Sequence, residues 1–315
     1  MAQLFPYFST RFIPRPPYRC LRNGRGLVLC LLLALPLCAE PAPASGDTPI
    51  TSARELWALP PEAHTTRHPF CLEGRVNFYD PAWRLLWMEN AGEGFFLASS
   101  GPLPALRSGQ RVRLEGTMVP SVGLQAETTR ITVLEESTPG APLATRERIG
   151  DLRAFDRRLV TVEAYVDEQQ LIDDAHVRLW LIVEGRAVIG WVPPLQPYNP
   201  TQWQGRYIRL EALYSGRLDP TGNETSIELW AASSSAITDL GDISRVAPFD
   251  LPLVPINEIN RYAVGTPVHI RGCIQQRETG VSVIVRDLTG EVQLRSLQRS
   301  RLPLGTEVEA VGQVA

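Results

Sequence analysis

Gly74-Arg-Val-Asn-Phe-Tyr-Asp-Pro-Ala-Trp-Arg-Leu-Leu-Trp-Met-Glu-Asn-Ala-Gly-Glu-Gly-Phe-Phe-Leu97, with Leu106-Arg-Ser-Gly-Gln-Arg-Val-Arg-Leu-Glu-Gly116 behind it, is the stretch that decides the fold. Its lead, Phe70-Cys-Leu-Glu-Gly74-Arg-Val-Asn-Phe78, alternates apolar and polar, with Phe70, Leu72, Val76 and Phe78 in one phase. That is the pattern of a half-buried strand. Arg84–Leu97 then reads as a hairpin, because Asn90 and Gly92 between two apolar runs are turn chemistry.

The same module occurs three times. Val160-Thr-Val-Glu-Ala164-Tyr-Val166 and Val268-His-Ile-Arg-Gly272-Cys-Ile274 repeat the first strand. Val112–Met118, Ile208–Tyr214 and Val308–Val314 repeat a later one, each again with a small residue in the inward phase: Gly116, Ala212 and Gly312. The two small residues of a module lie 42, 48 and 40 positions apart. A short strand that bends sharply around a small barrel needs such a site, since Gly otherwise weakens a strand. The hairpin slot is filled in the later modules by Val177–Val192 and Val281–Leu294, and a fifth strand is expected at Thr129–Leu134 and at Ser226–Trp230. Thr51–Leu59, with a capping box of Ser52 and Glu55, predicts a short lead-in helix, and Ile149–Phe155 and Pro255–Tyr262 predict single turns in the matching places. Five short strands in a module of about 80 to 100 residues fit an OB-type barrel. The expected architecture is therefore all-β: three tandem OB-like five-stranded barrels with short lead-in helices, spanning 50–136, 146–240 and 254–315. The third is expected to be truncated, lacking its closing strand.

Ahead of the modules, residues 1–44 read as a secretory signal. Arg11, Arg15, Arg19, Arg22 and Arg25 precede the apolar run Leu27–Ala39, and small residues follow. A run of thirteen is short of the about 20 residues that span a bilayer. From Glu40 onward, 26 Arg face 34 acidic residues, a net charge of −8, and no Lys occurs anywhere in the chain. An acidic, Lys-free chain is poorly suited to a phosphate backbone, so no nucleic-acid partner is expected. The absence of Lys also removes Schiff-base chemistry and a phosphate-loop lysine. Cys71 and Cys273 alone remain beyond the signal and read as free.

The decisive stretch and its sequel at Leu106–Gly116 resemble the extracytoplasmic sensor region of bacterial membrane histidine kinases and diguanylate cyclases. In those proteins tandem OB-like repeats follow a signal segment and precede a transmembrane helix and output domains. The resemblance covers residues 50–315 and implies a periplasmic region that binds a small molecule, a glycan or a protein. It also implies attachment to the inner membrane through a helix downstream of Ala315, and it leaves a homodimer open. The alternative is a free secreted or periplasmic OB-repeat binding protein without an output domain.

No catalytic motif is present: there is no Gly-x-Ser-x-Gly, His-Glu-x-x-His, phosphate loop or dinucleotide fingerprint. These 315 residues are expected to be non-catalytic and to hold neither metal nor cofactor. His64, His68, His176 and His269 are scattered and read as structural or solvated, and Asp173-Asp174 reads as a solvated turn. The candidate ligand-binding residues are aromatic: Tyr79 and Trp83 in the loop after the first strand, and Trp87 and Phe95 on the next two. Strands 2 and 3 of an OB barrel form its ligand face, and such rings can stack on a sugar, a base or a peptide. The competing reading is that they fill the barrel core or the packing between repeats.

Overall fold

The computed structural model describes residues 7–8, 48–146, 148–218, 224–245 and 247–315. The signal segment, Tyr7–Phe8 apart, lies outside the described residues. Among those described, no helix is long and apolar enough to cross a membrane.

The first unit holds β1 (His68–Asp80), β2 (Leu85–Asn90), β3 (Glu93–Ala98), β4 (Arg111–Val119) and β5 (Arg130–Glu135). The second holds β6 (Leu159–Leu171), β7 (Val177–Val183), β8 (Arg186–Val192), β9 (Arg206–Leu218), β10 (Glu224–Trp230) and β11 (Ile237–Asp242). In the third are β12 (Pro267–Glu278), β13 (Ser282–Arg286), β14 (Glu291–Arg295) and β15 (Glu307–Gln313). The lead-ins are α1 (Ala53–Trp57), α2 (Leu152–Phe155) and a 3-10 turn at Ile256–Arg261. Ser52 caps α1 as its sequence predicts, accepting the Glu55 N–H at 3.2 Å.

The middle unit closes completely. β6, β7 and β8 form a meander, β8 runs parallel to β10, and β9 bonds to both β10 and β6. That closure, with its single parallel pairing between the third and fifth strands, defines an OB-like barrel. The inward phase of every strand fills it: Val160, Val162, Ala164 and Val166 from β6 meet Leu179, Leu181, Leu210 and Leu229.

The first unit is a curled sheet of the same path. Here the structure corrects the placement of the fifth strand. Gly123–Leu124 pairs with the end of β4 and makes one parallel bridge, Leu124 to Ser99, in the position that β10 holds in the middle unit. Thr129–Leu134 instead falls in β5, which pairs with the start of β4 as β11 pairs with the start of β9. β5 is largely exposed and closes nothing. In the third unit β12 to β15 form an open curled sheet, and Tyr7–Phe8 pairs with Val311 and Ala310 on the outer edge of β15.

The small inward residues have the expected cause. A Cβ built on Gly74 would lie 2.8 Å from the Glu89 carbonyl oxygen, and one on Gly272 2.5 Å from that of Arg286. The first strand of each unit also skips one residue in its pairing with the second: Asn77, Asp167 and Gln275 respectively. Such a bulge bends the strand and turns one side chain out of the ladder.

Candidate binding surfaces at the barrel joints

Two of the three bulge side chains reach into the next unit. Asn77 is buried and donates to the Arg157 carbonyl at 2.9 Å, at the entry to the middle barrel. Asp167 is 2% exposed and accepts the backbone N–H groups of Arg299 and Ser300 from the third unit. Burial pushes the Asp167 carboxyl above its ordinary value, and these N–H groups offset only part of that.

The joint between the first and middle units is aromatic around a polar centre. His176 Nε2 lies 2.7 Å from Asp80 Oδ2 and its Nδ1 2.8 Å from Asp173 Oδ1. A carboxylate oxygen only accepts, so both contacts are hydrogen bonds together when the ring carries both protons. Asp80 is fixed in turn by the N–H groups of Ala82 and Trp83 at its other oxygen. Trp83 stacks on the His176 ring at 3.8 Å and donates its indole N–H to Asp173 at 2.8 Å. For Asp173 burial, the largest single influence, pushes the carboxyl up, and bonds from Ala175, His176 and Trp83 outweigh it and hold the group low. Phe78, Trp87, Leu213 and Trp230 pack beside this centre, with Trp83 and Trp191 at its margin.

The four aromatic candidates are thus placed, and they do not form an open platform. Trp83 and Trp87 join the seam, Trp87 at 3% exposure. Phe95 lies 1% exposed inside the first core, opposite Met88, whereas Trp87 pairs with Phe96. Tyr79 packs against the same core and donates its hydroxyl to the Leu103 carbonyl. The correction has a simple cause: neighbours on a strand face opposite ways, so Phe96, 43% exposed, shares the outer face with Trp87. His176 takes the structural alternative of its reading, Asp173 departs from the solvated turn by bonding to it, and Asp174 stays exposed. The spacing Asp173-x-x-His176 is the one sequence signal for that centre; its partner Asp80 lies 96 positions from His176.

The first unit's outer face is covered at Trp87 and left open at Phe96, and that of the middle barrel is partly open. Register puts Trp180 opposite Ile189, Arg178 opposite Trp191 and Ile182 opposite Ala187. The face runs from Trp191 at the first joint to Ile182, which packs with Tyr165, Ile243, Phe249 and Val311 at the second. Arg178 and Arg299 sit 4.2 and 5.2 Å from the Trp180 ring centre. A cleft of about 200 Å3 opens here between β7, β8 and the Leu297–Arg299 segment of the third unit. Among the described residues, no set of His, Cys, Asp and Glu is arranged to hold a metal ion.

No family model matches the chain, and no curated protein matches it. Among solved structures it is similar to an aspartyl-tRNA synthetase from Entamoeba histolytica, at 16% identity and a TM-score of 0.23 over 36% of this chain and 25% of that one. It is also similar to a replication protein A heterotrimer bound to single-stranded DNA (13%, TM-score 0.21, 43% and 37%) and to a murine DNA-binding protein bound to double-stranded DNA (11%, 0.27, 56% and 98%). The chain thus spans about a quarter of the synthetase. The exclusion of nucleic acid is withdrawn, because these neighbours include chains holding DNA. Its premise was also too coarse: a net charge says nothing of local grouping, and Arg277, Arg299 and Arg301 all act on Glu168 at the second joint.

Proposed function

We propose that the chain is the non-catalytic binding region of an exported, membrane-linked signalling protein, of the kind found ahead of histidine kinase or diguanylate cyclase output domains. The supporting observation is the outer face of β7 and β8, which is continuous with both joints through Trp191 and Ile182. A ligand resting on that face touches the elements that hold the first and third units, so binding alters joint geometry on both sides. The signal-like segment Arg11–Ala39 supports export.

The test fuses alkaline phosphatase, which is active only outside the cytoplasm, to the full chain and fractionates the cells. Active enzyme outside the cytoplasm is the expected result, and absence of activity overturns the reading. Oligonucleotides belong in any ligand panel applied to the purified chain.

A further inference from the structure

Independently of that binding-region reading, we propose that the outer edge of β5 is a self-association surface, onto which a second copy of this chain adds its own β5 antiparallel. β5 bonds to β4 along one edge, and among the described residues no strand pairs with the other. The backbone N–H and C=O groups on that side are open to an added strand. Its side chains are open as well: Val133 is 45% and Leu134 38% exposed, while Ile131 packs against the first core.

Composition sets this edge apart from the others. β11, the corresponding strand of the middle barrel, carries Asp239, Gly241 and Asp242. β14, at the edge of the third unit, exposes Glu291, Gln293 and Arg295. Charge and glycine keep an edge from pairing. Between its terminal charges β5 reads Ile131-Thr-Val-Leu134, with neither.

The ends of the strand specify the partner and its direction. Arg130 opens it, and Glu135 and Glu136 follow its apolar run. Arg130 stands opposite Glu115 on β4 and Glu135 opposite Arg111, yet neither makes an ion pair among the described residues, and Arg111 bonds Glu73. Two antiparallel copies bring each Arg130 toward the acidic end of the other, whereas parallel copies set like charges together. A two-fold axis through such a pair sets one residue opposite itself and matches the faces of the two sheets. With Thr132 at the axis, Ile131 of each copy meets Val133 of the other. The bulge in β5 falls at Leu134, beyond that stretch. Six residues of strand make a small interface, so the association is weak and concentration-dependent.

Sedimentation velocity of the full chain from about 1 to 200 μM is expected to show a monomer–dimer equilibrium. Val133→Lys sets a charge in the pairing edge and weakens the dimer at least about tenfold. Its thermal midpoint stays within about 2 °C, because the site is half exposed on a strand that closes nothing. Arg130→Glu weakens the dimer at least about threefold, and adding Glu135→Arg, which makes the ends complementary again, restores it. Thr132→Cys, opposite itself at the axis, oxidises to a covalent dimer that the wild type does not form under the same conditions. A monomer across the whole range overturns the proposal and leaves the edge to a strand of another protein. Association unchanged in Val133→Lys arises elsewhere in the chain and overturns it too. So does a double charge variant that dimerises no better than Arg130→Glu, since the ends then play no part in choosing the partner.

Discussion

His176 carries the first joint because it is the one side chain there that satisfies two carboxylates at once. Its side chain is 8% exposed and that of Asp80 5%. Removing the donor of a buried hydrogen-bonded carboxyl group strands it, at about 3 kcal/mol. His176→Ala is expected to lower stability by that amount in urea denaturation, and His176→Gln, which keeps one donor, to recover part of it. A loss below about 0.5 kcal/mol, typical of surface sites, rejects the pairing. Asp167 makes a different forecast. Its folded-state proton affinity is raised by burial, so it contributes stability below the ordinary carboxylate range and loses it as pH rises through the raised value. The wild type should therefore lose stability relative to Asp167→Asn as pH rises above the ordinary carboxylate range of about 4, a difference that chemical denaturation measures at each pH. A constant difference sinks the account. Asp167 left no mark in the sequence, and His176 only its three-residue spacing from Asp173. The partners of His176 and Asp167 lie 96 and 132 positions away along the chain, and such pairings are set by tertiary docking rather than by local pattern.

At the scale of strands, inward alternation and the recurrence of a small residue were readable, because both obey a period of two along a short segment. Gly272 shows why the small residue is needed. Its missing Cβ would fall 2.5 Å from a backbone oxygen on β13, which cannot move aside as a side-chain tip can. Gly272→Ala is expected to cost about 1 to 3 kcal/mol, as overpacked sites do. Gly290 offers the control, since its Cβ would find nothing nearer than 3.5 Å, and Gly290→Ala should stay within about 0.5 kcal/mol. Equal losses at both sites would mean that close approach is not the reason for glycine at position 272. The fifth strand of the first unit was misplaced for a related reason. Thr129–Leu134 has the stronger strand composition, yet the two residues Gly123–Leu124 take the closing position, and two residues carry no periodicity to read. Bulges leave no composition signal either: Asn77, Asp167 and Gln275 share a place in the fold but not a residue type.

Across the whole molecule, that shared bulge position works as a joint. Asn77 ties the first unit to the second, Asp167 ties the second to the third, and each is buried where it does so. Gln275, the third member, is exposed and reaches only the Cys273 carbonyl of its own strand at 3.4 Å. A polar joint surrounded by aromatic packing makes adjoining units unfold together, because opening it uncovers Trp87, Trp230 and Leu213 along with unsatisfied polar groups. The double change Asn77→Ala with His176→Ala removes the Asn77 and His176 links of the first joint and leaves the Trp83–Asp173 and Arg157–Gly94 bonds, and those of Asp167, in place. Differential scanning calorimetry of the wild type should then give one transition spanning the first and middle units, and the double variant two. The earlier of the two belongs to the first unit, whose curled sheet is closed by a single bridge, Ser99 to Leu124, rather than by the three-residue parallel ladder of the middle barrel. A variant that still melts in one step at a lower temperature shows that the aromatic packing and the remaining bonds couple the units. Two transitions already present in the wild type show that the joint does not couple them, and a ligand on the middle barrel would then have no rigid path to the first.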